Sequence, residues 1–483
     1  MQIVILTTNT DPYRLVRYLG PYQIAYWTRK NGYPTQVLDF LYHMTKEERL
    51  KLFQKFITRE TKIVGYSPFI IFDSFQYISK GKNLVFEILE EIKENFPWVK
   101  IVLGGPFTRS FLEKGNYKNL SFKLDAVFKG EGEHSFLEYC DHILKDGASP
   151  KFTLYNENKL VMQGKTYDIE NCGMVFSEND FIMPGETLPF EMSRGCIFKC
   201  SFCMYPNIGK KKDDFNKKMS SIEESLLYNY EKFGTTIYHL ADDTINSHRQ
   251  RTKDLHQLSK TLPFQLEFLG YTRLDLLDVW PEQQDILPEA GLRSVHFGIE
   301  SLDPYSCKMI GKGWGGQNHK KWLKYILEKW KDDVTIMCSL IAGLGNETES
   351  DWHRTDEWFR ESGVHDWGWQ PLHLKKKNLG DVERSASIFE QDPEKYGYKM
   401  REFYGWDNDH TNVDQARAFA RASWIKNYPF RKATVWKWAG YLNLGFTREE
   451  LKILTYPSIE WRCNIEGRTK KFVQSYLEKA MSY

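Results

Sequence analysis

Long apolar runs are missing from this chain. The opening stretch "MQIVILTTNTDPYRLVRYLG" holds an apolar run of only about five residues. A membrane span needs roughly 18 or more, and a secretory segment also needs a longer apolar core. A charge imbalance is missing too. Lys and Arg number 66 against 64 Asp and Glu, a net charge of +2. Bulk charge therefore points to neither nucleic acid nor a membrane surface. Cysteine is scarce. Five of the eight, Cys140, Cys172, Cys307, Cys338 and Cys463, stand singly, which is no disulfide framework. These absences together lead us to expect a cytoplasmic protein with reduced thiols.

Apolar and aromatic content is ample, at 41% and 15% of 483 residues. Such a chain buries a large core, and its length suits two or three domains. The first ~145 residues alternate buried-type strands with helical patterns. The strands read Gln2–Thr8, Thr35–Phe40, Lys62–Pro68, Lys100–Pro106 and Leu124–Glu133, with a helix over Gly20–Gly32. Strands spaced by helices predict a doubly wound parallel sheet, whose ligands bind past the strand C-termini. The loops "GYSP", "GGP" and "GEGE" stand there. Residues 149–186 read as a linker with hairpin-like strands. A second series follows over 187–374, with strands at Leu188–Gly195, Thr235–Asn246, Phe264–Asp275, Leu292–Ser301, Val334–Thr348 and Asp366–Leu374. Five or six βα units in a row predict a full or partial barrel, with its active site at the C-terminal strand ends. Residues 375–483 read as a mostly helical region covering the barrel mouth and shaping a substrate pocket. Tyr404, Trp406, Trp436 and Trp438 are aromatic candidates within it, although packing alone also explains such residues.

The other three cysteines are crowded into "EMSRGCIFKCSFCMYP" as C-x-x-x-C-x-x-C. Thiolates bind zinc and iron–sulfur clusters. Structural zinc wants four closed ligands. Here a fourth is absent nearby, and three thiolates leave one metal position open. The other reading is three core cysteines at a helix start.

"CIFKCSFC" resembles the cluster loop of radical S-adenosylmethionine (SAM) enzymes, with Phe202 as its aromatic. The resemblance continues in "HLADDTIN", "GYTRLDLL", "FGIESLDPYSCKMIGKG" and "IAGLGNET". It implies a [4Fe–4S] cluster on Cys196, Cys200 and Cys203, and a SAM site that includes Phe202, Asp242, Asp243, Arg273, Glu300, Ser301, Ile341 and Gly343. In the last motif Gly345 stands where the family has proline, and Asn346 where it has glycine. Taken singly, each motif has a plain reading, such as a solvated turn at Asp242–Asp243 or a local ion pair for Arg273.

Residues 1–148 resemble the cobalamin-binding domain that precedes many such barrels. The resemblance implies cobalamin held by Ser67, Gly104, Gly105, Gly130, Glu131 and Gly132. The D-x-H-x-x-G motif that ligates cobalt from below in mutases is absent. "TDPYRLVRYLG" occupies that loop without a histidine, which implies a lower face that is empty, taken by water, or blocked by a side chain such as Tyr13, Arg14 or Leu15. The family resemblance therefore implies a cobalamin-dependent methyltransferase. It would act on an unactivated carbon of a small molecule or peptide, through a 5′-deoxyadenosyl radical and methylcobalamin. An external reductant of flavodoxin or ferredoxin type would supply electrons. Relatives also form or rearrange rings, some with a cobalamin domain that is only vestigial. A non-catalytic iron–sulfur regulator is the reading from another class, but "GIES" and "LADD" are intact. A methylthiotransferase would carry three further cysteines before the barrel, where this chain has only Cys140 ahead of the linker. The run "KKKDDFNKK" reads as a solvated loop.

Overall fold

The computed structural model describes the chain except for residues 10–14, 70–76, 106–107, 109–119, 152, 156–157, 171, 206, 313, 332, 376–386, 402–404 and 454–458. The first sheet contains β1 (Ile3–Asn9), β2 (Thr35–Leu38), β3 (Ile63–Phe69), β4 (Lys100–Leu103), β5 (Ala126–Lys129), β6 (Thr153–Tyr155) and β7 (Asn158–Gln163). Its order is β2-β1-β3-β4-β5-β7-β6. Strands β1 to β5 run parallel, and the β6–β7 hairpin joins them by pairing β7 parallel to β5. The hairpin-like strands expected in the linker thus extend the first sheet. The order reverses between β1 and β3, the switch point where doubly wound sheets open a crevice.

Parallel strands covered on both sides are apolar at every position. Ile3 and Ile5 of β1 belong to one core, with Tyr22, Ala25, Phe136 and Tyr139 of helices Leu19–Lys30 and Glu133–Leu144. Val4 and Leu6 belong to the other, with Leu52, Phe53, Val85 and Ile88 of helices Lys46–Phe56 and Tyr77–Asn95. Helix Lys46–Phe56 starts at a capping box, in which Thr45 accepts from the Glu48 N–H and Glu48 from the Thr45 N–H.

The second sheet is all parallel and sequential. It runs from β8 (Leu188–Phe190) through β9 (Ile237–Leu240), β10 (Glu267–Thr272), β11 (Leu292–Glu300) and β12 (Thr335–Ala342) to β13 (Asp366–Pro371). It forms an open six-stranded βα barrel. Its outer face shares a continuous core with the first domain's Ile3 side.

The C-terminal region is mostly helical but does not simply cover the mouth. Within it, Tyr398 and Trp406 lie at the C-terminal strand ends, where Tyr398 donates to Gly343 O at 2.9 Å. Helix Val435–Asn443 instead closes the opposite end. The Val435 N–H donates to Ser294 Oγ at 2.6 Å, near the start of β11. Trp438 packs in one cluster with Leu269. The last helix, Ile459–Ser482, returns to the first domain, where the Asp39 N–H donates to Tyr476 Oη at 3.0 Å. The physical reason is an open barrel with a hydrophobic floor that needs a lid of its own. Among the described residues, no helix is long and apolar enough to cross a membrane.

Candidate active site

The segment after β8 is anchored from below. Asp242 accepts from the N–H groups of Met192 and Ser193 at 2.8 and 2.7 Å, and from the Ser193 hydroxyl at 2.7 Å. Its carboxylate is thereby committed to shaping the entry of the cysteine loop. Gly195 then takes φ +81°, and a Cβ there would press on Asn207. The Cys196 N–H donates to Asn207 O, the Gly209 N–H to Phe198 O and the Lys210 N–H to Cys196 O. The loop is therefore closed on itself. Ser201 latches it to the segment after β11 through its N–H to Ile310 O and its hydroxyl to Met309 O.

Cys196, Cys200 and Cys203 are free and half-buried, whereas four of the five single cysteines, Cys140, Cys172, Cys307 and Cys338, are buried and Cys463 is exposed. The Cys196 thiol lies 3.5 Å from Thr244 Oγ1, and Arg273 Nη1 donates to the Cys200 sulfur at 3.8 Å. Burial pushes the Cys200 thiol up, opposed by the charges of Lys312 and Arg273, and pushes Cys203 up to about 12. A bound metal reverses that cost, because it takes the thiolate. Among the described residues, no three His, Cys, Asp or Glu side chains converge as ligands of one ion.

Arg273 lies with its guanidinium 3.9 Å over the Phe198 ring and pairs with Asp275 at 2.5 Å. Phe202 packs against the core. Asp243 is half-buried, and desolvation plus the charges of Asp242 and Glu191 push its carboxyl up to about 6. At the end of β11, the pairing with β12 shifts between Gly298 and Glu300, and Glu300 adopts φ +66°. Its carboxylate pairs with Lys312 at 3.2 Å and accepts from the Ser339 hydroxyl at 3.4 Å. A Cβ at Gly298 would collide with both the Glu300 carboxylate and the Lys312 ammonium. Ser301 donates to Glu347 Oε1 at 2.8 Å. The other Glu347 oxygen is buried without a partner, and burial pushes this carboxyl up to about 8. Ile341 is buried near the end of β12, and Gly343, at φ +103°, leaves room for the Trp406 ring. Lys312 and Glu347 were not among the expected site residues. "GKG" and "GNET" held them, but only the fold shows their partners.

In the first domain, Ser67 and Gly105 come together. A Cβ at Gly105, which has φ +82°, would overlap the Ser67 hydroxyl, and Gly104 faces open space. This glycine cradle fits a bulky ligand laid across β3 and β4. Gly130 takes φ +86°, and Gly132 caps helix Glu133–Leu144. Glu131 between them is committed elsewhere. It accepts from the Tyr167 N–H at 2.5 Å and from Asn207 Nδ2 at 2.6 Å. The glycine loop after β5 thus touches the cysteine loop directly. Leu15 is buried, and its carbonyl accepts from Asn443 at 2.8 Å. Tyr13, Arg14 and Tyr404 lie outside the described residues.

Residues 190–359 match the model of the radical SAM superfamily. The chain carries a radical SAM domain. Such a domain works with a [4Fe–4S] cluster and SAM, and the half-buried thiol loop beside Arg273 and Lys312 fits that pair. An uncharacterised methyltransferase of Pyrococcus horikoshii is 26% identical over 72% of this chain and 75% of its own length. The fold also matches a radical SAM methyltransferase from Kitasatospora setae, TsrM, in a structure with cobalamin and a [4Fe–4S] cluster bound. That match has a TM-score of 0.58 and 15% identity, and covers 98% of this chain and all of the other. A cobalamin-dependent radical SAM enzyme, OxsB, with aqua-cobalamin and SAM bound, matches at TM-score 0.61 and 13% identity, over 99% of this chain and 72% of its own. Beyond the radical SAM domain, the N-terminal doubly wound sheet and the helical C-terminal region are shared with these structures.

Proposed function

We propose that the chain is a cobalamin-dependent radical SAM methyltransferase that acts on an unactivated carbon of a small-molecule or peptide substrate. The supporting observation is the hydrogen bond from Asn207 to Glu131. It sets the C-terminal edge of the first sheet against the cysteine loop, so a ligand on the Ser67–Gly105 cradle opens towards the barrel mouth. In this reading residues 1–148 form the cobalamin domain, 149–186 the linker, 187–374 the barrel and 375–483 a substrate-shaping region. Cys196, Cys200 and Cys203 hold the cluster. Asp243, Glu300 and Ser301 face the amino acid and ribose of SAM, and Ile341 and Gly343 its adenine. Ser67, Gly104, Gly105, Gly130 and Gly132 leave room for cobalamin. When bound, these groups supply reductive sulfonium cleavage and a methyl carrier. The chain's own residues bind, orient and exclude water. TsrM has also been solved with its tryptophan substrate, which favours a small molecule here. An external flavodoxin- or ferredoxin-type donor in the cytoplasm completes the reading.

Anaerobic reconstitution with excess hydroxocobalamin tests it. The expected result is iron, sulfide and cobalt bound together, with cobalamin bands over the cluster's broad absorbance. Iron without cobalt would leave a cobalamin-free radical SAM enzyme.

A further inference from the structure

The two faces of the barrel sheet are filled differently. Outward side chains such as Val295, Phe297, Cys338 and Trp367 are buried in one core. The inward side chains between them, Tyr271, His296, Met337, Ser339 and Gln370, stay half-buried or exposed. Below them the interior is closed, because Leu269 and Met337 pack on the cluster that holds Trp438. Gly368 of β13 lies beside Ser339 of β12, and a Cβ there would meet nothing within 4 Å. A βα barrel packed for stability alone fills this space with side chains. This one is a cup, closed at the floor and open towards the cysteine loop.

The walls of the cup are aromatic and polar. The Tyr271 and His296 rings lie against each other, with centroids 4.6 Å apart and planes 33° from parallel. Ser339 and Gln370 add a hydroxyl and an amide, and Met337 a polarisable thioether. The wall charges are neutralised. Among the described residues, Glu267 pairs with Arg293 and Arg448, Arg273 with Asp275, Glu300 with Lys312, and Asp366 with Arg431 and Lys437. A charged group carried into this space would lose its water and find its partners already taken. Tyr205, two residues past Cys203, stands over the mouth. Its ring is 64% open, yet burial pushes its phenol up, with Tyr271, Asp243, Cys203 and Tyr18 close by. Such a ring faces a cleft, with the cup on one side and Tyr18 of the first domain on the other.

We propose that this cup sets substrate specificity, and that it takes an uncharged planar ring bearing a hydrogen-bonding group, held by Tyr205, Tyr271, His296 and Gln370. The proposal rests on the radical SAM reading, which puts the reacting atoms at the strand ends directly above. Aromatic walls favour a flat ring over a saturated one of the same size. Walls whose charges are already paired reject an ionised analogue of the same shape.

The test uses the reconstituted full chain with SAM bound and three probes of one size: benzamide, benzoate and cyclohexanecarboxamide. Ligand-observed NMR gives their affinities. Benzamide should bind with a dissociation constant on the order of millimolar, as befits so small a ligand. Benzoate and cyclohexanecarboxamide should each bind about tenfold or more weakly. Gly368→Leu puts a side chain into open space, so it should keep the melting temperature and lower benzamide affinity about tenfold or more. Tyr271→Leu should lower it similarly, whereas Tyr271→Phe keeps the ring and should lose less than about threefold. Iron content and SAM binding should match the parent in all three variants. Benzamide binding that is absent from the parent, equalled by benzoate, or unchanged in both leucine variants would overturn the proposal. A parent that binds benzamide in the cup yet cleaves no SAM with dithionite would uphold the recognition site and remove the functional reading. One that cleaves SAM and ignores benzamide would do the reverse.

Discussion

Glu300 holds a left-handed φ of +66°, which few residues other than glycine adopt, and which costs on the order of 1 kcal/mol or more. What it gains is direction. The shifted pairing turns the carboxylate inward to Lys312 and Ser339. Glu300→Gln keeps the shape and removes the charge, so SAM binding should weaken about 10- to 100-fold while iron content stays the same. Equilibrium dialysis with labelled SAM measures it. Glu347 makes a second prediction. Its folded carboxyl sits near 8 against an ordinary 4.5, because burial disfavours the anion. The folded state therefore keeps a proton that the unfolded chain releases, so stability falls as pH rises between those values and levels off above. Glu347→Gln should remove this slope. Its urea midpoint should exceed the parent's by more at about pH 8.5 than at about pH 6. The three thiols, Arg273 and Glu300 could be picked out in the sequence as candidates because each sits in a short motif with fixed neighbours, and the fold brings Arg273 against Cys200. Lys312 could not, because its partners Gly298 and Glu300 lie fourteen and twelve residues earlier, at the end of β11. Asp242 and Glu131 carry the expected residue types, but their oxygens are committed to backbone and loop, which spacing cannot reveal.

Among the elements, the alternation of strands and helices announced both sheets. Every β-strand of the first domain and barrel that the apolar runs predicted is present, although β8, β9 and β12 end five or six residues before the expected end. The glycine loops also fell where strand ends required them. Gly105→Leu should force a side chain into the Ser67 hydroxyl and into a left-handed backbone. Cobalt content after reconstitution should drop sharply, while iron content holds. The destination of the last helices was not legible. "VWKWAGYLN" is apolar on one side, but nothing local says which barrel end it meets. The choice is made by Ser294 at the start of β11 and by the pocket around Leu269. Trp438 is therefore packing in the floor and does not recognise substrate there. Trp438→Ala should cost about 3–5 kcal/mol of stability through the cavity it leaves. Calorimetric unfolding checks this, and an unchanged melting temperature would show that the helix does not hold the floor.

At the scale of the whole molecule, one arginine joins the two sheets. Arg194 follows β8 of the barrel, and its guanidinium is shared across the boundary. It donates to Glu191 through Nε and Nη2 at 3.0 Å, to Glu133 of the first domain at 2.9 Å and to Gln23 at 2.5 Å. Glu131 lies 3.7 Å away and itself bonds Asn207. Glu191 and Glu133 are buried, so their charges depend on this partner. Burial alone would push the Glu191 carboxyl up, yet Arg194 and Gln23 hold it below its ordinary value. A carboxylate depressed in the fold contributes stability that is present at neutral pH and lost as pH falls through its folded value. Arg194→Ala leaves two buried carboxylates unpaired, at a cost of about 3–5 kcal/mol near pH 7.5. The penalty should shrink as pH falls towards about 4.5, where the Glu191 carboxyl, no longer held down by Arg194, takes up a proton in the variant. Urea titrations at the two pH values measure that difference. The position of the damage is the sharper test. Hydrogen exchange should quicken together in the cysteine loop and in helix Glu133–Leu144, because both are tied to the same guanidinium. If exchange quickened in the barrel loop alone, the two sheets would be joined by their shared apolar core, and Arg194 would be only a local brace of the loop it follows.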